Sequence, residues 1–112
     1  MVRDLKSHQV FVFGSNLHGR HAGGAAQQAH KDFGAAWGIG VGLTGQCYAI
    51  PTMEGIDSLK LYVEQFNQVA TMLPDVEFLL TKLGCGIAGY DEMDIAPLFK
   101  SSPANVVKPI GW

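Results

Sequence analysis

Cysteine is scarce in this sequence. Only Cys47 and Cys85 occur, too few for a disulfide scaffold, and neither belongs to a C-x-x-C pair with metal-ligand spacing. Both are expected as reduced thiols. Long apolar runs are missing as well: stretches such as Val10–Phe13 and Phe78–Leu80 fall far short of the roughly 20 residues a membrane-spanning helix needs, so no membrane span is expected. The opening residues Met1-Val2-Arg3-Asp4-Leu5-Lys6 lack an apolar h-region with a small-residue cleavage site, which argues against secretion and makes the cytoplasm the expected compartment. Excess positive charge is also absent. Eight Lys and Arg stand against ten Asp and Glu, for a net charge of −2, and the basic residues are scattered, so nucleic acid is a minor expectation as partner. Neither of the two glycine-rich segments reads as G-x-x-x-x-G-K-[ST], which removes the P-loop fingerprint.

What the chain does have is apolar content and glycine. With 112 residues, 47% of them apolar, it is long enough to bury one core, and residues 1–112 are expected to form a single domain. Its 14 glycines are about twice the average usage, with neither a collagen period nor a linker tract. They gather at turns, most densely in two segments. Gly14-Ser15-Asn16-Leu17-His18-Gly19-Arg20-His21-Ala22-Gly23-Gly24 and Leu83-Gly84-Cys85-Gly86-Ile87-Ala88-Gly89-Tyr90 each leave an apolar, strand-like run and enter a helix-like one. A bend in that position offers backbone N–H groups near a helix N-terminus, and glycine lets a ligand approach them closely, which is the chemistry of phosphate binding.

The run Gln9–Phe13 is β-branched and aromatic and apolar at successive positions, as expected of a strand covered on both faces. Small and apolar residues at helical spacing (Ala25, Ala26, Ala29, Phe33) predict a helix over Ala22–Phe33, with Gly34 as its stop. A loop follows, with a short strand around Val41–Leu43. Cys47–Ile50 is the next strand, ended by Pro51-Thr52. Asp57 or Ser58 then caps a long helix whose stripe is Leu59, Tyr62, Val63, Phe66, Val69, Ala70 and Leu73, and Pro74 stops it. Val76–Thr81 reads as a strand leading into the second bend. The helix after it contains Pro97, tolerated only near a helix start, which favours Asp94 over Asp91 as N-cap. Asn105–Val107 is a final short strand. This alternation predicts an α/β fold with a largely parallel sheet and helices on both faces. Right-handed crossovers then put the C-terminal strand ends, both glycine bends and the Pro51-Thr52 corner along one ligand-binding edge.

Each candidate side chain carries two readings. Asn16 is either a turn residue bonding its own backbone or a ligand contact. His18 and His21, flanking Arg20, are expected at the solvent surface, with phosphate binding or acid–base work as the alternative. His30 falls on the outer face of its helix. Cys85, at a strand end, is either a packing residue or a nucleophile whose pKa a helix N-terminus lowers. Tyr90 either stacks on a sugar or base or covers the sheet edge. Asp91, Glu92 and Asp94 fit helix capping better than metal binding, and no metal is expected. Trp112 either docks the C-terminus or anchors an oligomer.

The series Val10-Phe11-Val12-Phe13-Gly14-Ser15-Asn16, Gly23-Gly24-Ala25-Ala26, Gly42 through Thr52, and Gly84-Cys85-Gly86-Ile87-Ala88-Gly89-Tyr90 resembles, in order and spacing over most of the chain, the macro domain family. It looks most like a compact phage and bacterial branch of macro-domain-like proteins of unassigned activity, in which the Gly-Cys-Gly-Ile-Ala-Gly-Tyr and Ile-Ala-Pro-Leu-Phe segments recur. The resemblance implies a three-layer α/β/α sandwich with a largely parallel or mixed sheet, truncated at the N-terminus. It also implies binding of ADP-ribose or a related nucleotide diphosphate. The implied contacts are Gly14, Ser15, Asn16, Gly23, Gly24, Ala25 and Thr52 on one side and Gly84, Cys85, Gly86, Ile87, Ala88, Gly89 and Tyr90 on the other. Asn16 falls where family enzymes place an Asn near the distal ribose, and with His21 it would position water in a hydrolase of ADP-ribosyl or phosphate bonds. The family's acidic residue of the first glycine loop has no counterpart in Gly23–Gln28, and neither does the strand with the acidic residue that contacts adenine. The first departure weighs toward binding with weak hydrolysis or none, and the second weighs against adenine specificity. No cofactor is expected. The remaining readings are a non-catalytic module that sequesters a nucleotide or assembles with itself, and a cysteine hydrolase using Cys85.

Overall fold

The computed structural model describes residues 4–21, 23–86 and 88–112; the expectations that fall on Ala22 and Ile87 lie outside them. Its central element is β1 (Gln9–Ser15), in which neighbouring residues face opposite sides. Val10 and Val12 join one buried cluster, and Phe11 and Phe13 join another. A strand apolar on both faces is stable only with cover on both, and the chain supplies it from two helices. α1 (Gly24–Phe33) brings Ala29 and Phe33 onto Phe11, Phe13, Cys47 and Ala49. α2 (Ile56–Met72) brings Leu59, Val63, Phe66 and Ala70 onto the opposite face.

Among the described residues the fold is an α/β domain with a five-stranded mixed sheet and three α-helices. The strands are ordered β2 (Gly42–Thr44), β3 (Cys47–Pro51), β1, β4 (Glu77–Leu80) and β5 (Val106–Val107). β1 runs parallel to both its neighbours, with Phe13 opposite Ala49 and Val12 opposite Leu80, and β4 runs parallel to β5. Only β2 is antiparallel, folded back on β3 across the Gly45-Gln46 turn, so the sheet is mixed.

Phe66 anchors the α2 face. It is fully buried, with ring centroids 5.0 Å from Tyr48, 5.4 Å from Phe78 and 6.2 Å from Phe99. Truncating a phenylalanine so enclosed costs about 3–5 kcal/mol, because the cavity adds to the lost transfer energy. On the same face Asn105 ties the end of α2 to the strands: its Nδ2 donates to the carbonyls of Ala70, Leu73 and Val76 at 2.9–3.0 Å.

Three local expectations need correction. α2 starts at Ile56 with Gly55 as N-cap, ahead of both Asp57 and Ser58. Gly55 has φ +95°, a backbone few other residues adopt, and Asp57 lies in the first turn, where the helix dipole favours its charge. The segment around Pro97 is two short pieces: α3 (Glu92–Ile95), preceded by Asp91 as N-cap, and a 3-10 turn (Ala96–Phe99). Splitting the helix puts Pro97 near the start of the second piece, where its missing N–H is not needed, so Asp94 does not have to cap. α1 begins at Gly24 and ends, as expected, at Gly34, whose φ is +80°.

Candidate functional site

Because β3, β1 and β4 are parallel neighbours, their carboxyl ends lie side by side along one edge. The chain leaves β1 into Asn16–Arg20, β3 into Thr52–Glu54 and β4 into Thr81–Gly86, and these three exits enclose a cleft of about 700 Å³. That volume lies within the roughly 300–1,000 Å³ typical of small-molecule sites. The start of α1 forms a fourth side through Gly23, Gly24, Ala25 and Ala26. Gly23 gives that helix no side-chain cap, so the leading N–H groups, which by helix geometry lack intrahelical acceptors, face a ligand-sized space.

The floor is rigid and its hydroxyls are already engaged. Ser15 and Thr52 are buried. The Ser15 hydroxyl donates to the Gly40 carbonyl, the Thr52 amide donates to the Ser15 carbonyl at 2.9 Å, and the Thr81 hydroxyl donates to the Val12 carbonyl at 2.8 Å. Gly14 sits where the three exits converge: a Cβ there would stand 3.1 Å from Thr52 Cγ2 and 3.2 Å from Leu83 Cβ.

Asn16 closes the first bend. Its Oδ1 accepts from the Arg20 amide and its Nδ2 donates to the Arg20 carbonyl, both at 3.1 Å. This holds residues 16–20 as a loop that presents His18 and Arg20 to the cleft. The side chain thus does the turn-closing work of the first reading while also lining the space. Lys82 supplies a second cation. Its Nζ lies 3.1 Å from Glu92 Oε1, which also accepts from the Trp112 indole at 2.9 Å. Those two hydrogen bonds, Trp112 first, hold the Glu92 carboxyl below the ordinary carboxylate range. Trp112 therefore docks on the body of the chain, packed on Phe99.

Of the residues singled out from sequence, Gly14, Ser15, Asn16, Gly23, Gly24, Ala25, Thr52, Gly84, Gly86 and Ala88 come together around this cleft. Cys85, Gly89, Tyr90 and His21 do not line it. Tyr90 sits behind the second bend, its ring against the α2-face core and its amide donating to the Gly84 carbonyl at 2.9 Å. Cys85 packs against the same core, and burial, then the Glu92 carboxylate, push its thiol pKa up. Both effects disfavour the thiolate that a nucleophile requires. Cys47 is held still higher, at about 12, by burial.

His21 departs from the surface position expected of it. It is 1% exposed, under the α1 face with Phe13, His30 and Trp37 around it. Its Nε2 lies 3.0 Å from the Ala36 carbonyl, which makes Nε2 the donor. The loop 34–41 folds over it, and no local pattern in the sequence announces that closure. Sequence reasoning also passed over Met53, Glu54, Thr81 and Lys82, all of which line the cleft. They lie one to three residues past the ends of β3 and β4, so following each strand a few residues beyond its last apolar position finds them.

No match to this chain emerges from family models, curated proteins or solved structures. Function therefore rests on the cleft itself. Among the described residues no helix is long and apolar enough to cross a membrane, and no three His, Cys, Asp or Glu side chains converge as a metal site.

Proposed function

We propose that this chain binds ADP-ribose or a related nucleotide diphosphate in the cleft between its two glycine bends, as a small macro-domain-like α/β/α sandwich. The observation that carries the reading is that both bends and the uncapped start of α1 border one ligand-sized space. Backbone amides of α1 and of the Gly84–Gly86 bend supply the grip on phosphate, and Arg20 and Lys82 add charge. The α1 and α2 layers on opposite sheet faces fit the sandwich that the resemblance implies.

Binding, with weak turnover or none, is the reading favoured. Asn16 lines the cleft with its carboxamide bonded to the Arg20 backbone, whereas His21 is buried and does not line it, so the pair that would position water is not assembled at the ligand. Calorimetric titration of the whole chain with ADP-ribose tests the proposal. Gly86 is the residue to change, because a Cβ there meets no protein atom within 4 Å and its φ is not in the left-handed region. Gly86→Val is expected to keep the circular dichroism spectrum and lose the binding. Heat of binding that survives unchanged in this variant, or none in the parent, defeats the reading.

A further inference from the structure

The cleft has a charge direction across it. In the order β3, β1, β4, the exit from β3 carries Glu54, the exit from β1 carries Arg20 and the exit from β4 carries Lys82, so the anion stands at one side and the cations at the middle and the other side. Two inter-strand intervals separate the outer two exits, roughly 10 Å at 4.7–4.9 Å each. Among the described residues Lys82 pairs with Glu92, and Glu54 has no cationic partner. One Glu54 oxygen lies 3.3 Å from the Leu17 amide, a long contact that leaves the carboxylate most of its capacity to accept. A carboxylate in a cleft meant for phosphate repels that phosphate at short range. It is tolerable only where the ligand presents donors instead.

Resting on the nucleotide diphosphate reading above, we infer that Glu54 is the specificity-determining residue of the cleft: it accepts hydrogen bonds from the hydroxyl or amine donors of a phosphorylated sugar or nucleotide, whose phosphates lie toward the α1 start and Lys82. The ligand class is thereby narrowed to molecules that carry phosphate at one end and uncharged O–H or N–H donors at the other. A carboxylate acceptor forms stronger hydrogen bonds than a neutral one. Glu54 thus rewards a donor-bearing ligand and penalises a bare anion, so the cleft separates nucleotide sugars from free inorganic phosphates by one side chain.

The test titrates the full chain and its Glu54→Gln variant with two probes, ADP-ribose and inorganic pyrophosphate, by calorimetry, with thermal unfolding as a check on the fold. The substitution keeps the shape and one acceptor oxygen but removes the charge. ADP-ribose affinity is expected to fall tenfold or more, while pyrophosphate affinity stays the same or rises. Equal ADP-ribose affinity in the two proteins overturns the inference and leaves the cleft reading standing. Parallel losses for both probes also overturn it, since they would make Glu54 a prop for the Leu17 loop. Absence of ADP-ribose binding in the unsubstituted chain removes the cleft reading and this inference with it.

Discussion

Replacing Gly14 with alanine asks whether the three strand exits converge as tightly as the structure has them. Gly14 has an ordinary backbone conformation, so alanine in a free strand would be stabilising by roughly 0.5–1 kcal/mol through its smaller entropy loss on folding. Here the added methyl meets Thr52 Cγ2 at 3.1 Å and Leu83 Cβ at 3.2 Å, with the Gly84 amide 3.5 Å away. Neither close neighbour is a flexible tip. Thr52 is buried and its amide is bonded to the Ser15 carbonyl, and Leu83 is buried against the α2 core. Overpacking of this kind costs about 1–3 kcal/mol, so after the entropic gain the net effect is a loss of about 1 kcal/mol, and of no more than about 2.5 kcal/mol. For a domain of this size each kcal/mol lost lowers the melting temperature by about 4 °C. Urea unfolding followed by circular dichroism, with the slope compared between the two proteins, reads the change directly. A Gly14→Ala protein as stable as its parent, or more so, would refute the convergence, because the sign itself reverses when the space is open.

Both thiols should be sluggish: with iodoacetamide at pH 7–8, buried Cys47 is expected to stay unmodified until the chain unfolds, and half-buried Cys85, its pKa raised, to react more slowly than free cysteine. Faster labelling of Cys85 than of free cysteine, read by mass spectrometry, would contradict its raised pKa. The Glu92 carboxyl is held low by Trp112 and Lys82, so that link is complete at neutral pH and above and is lost as pH falls through the lowered pKa. Acid titration of Trp112 fluorescence in a Trp37→Phe background should show a midpoint below about 4.3, the ordinary glutamate value, and a midpoint at or above it would count against the linkage.

Much of the fold was legible because its determinants are local. The opposed pairs Val10/Val12 and Phe11/Phe13 announce a strand covered on both sides, and the Leu59-Val63-Phe66-Ala70 stripe announces the helix covering one of them. The two glycine bends were legible for the same reason, since each follows directly from the strand before it. What escaped depends on contacts distant in sequence. His21 reads as a polar loop residue, and only the return of Ala36 and Trp37 over it, 15 and 16 residues later, makes it interior. Glu54 and Lys82 were passed over because each stands just past a strand, and only the side-by-side alignment of β3, β1 and β4 brings them to one space. The division of the Pro97 segment was not legible because a single helix capped by Asp94 also places the proline near its start, whereas the chain meets the proline by changing helix type.

The central position of β1 has a consequence for how the chain is made. The first of the described strands is the one whose edges are filled by later residues: Phe11 waits for Cys47 on one side and Leu79 on the other. Until β4 has been synthesised, a ribbon greasy on both sides has at most one neighbour to zip against, a condition that favours sticking to other nascent chains. Contacts of such long separation make for slow folding.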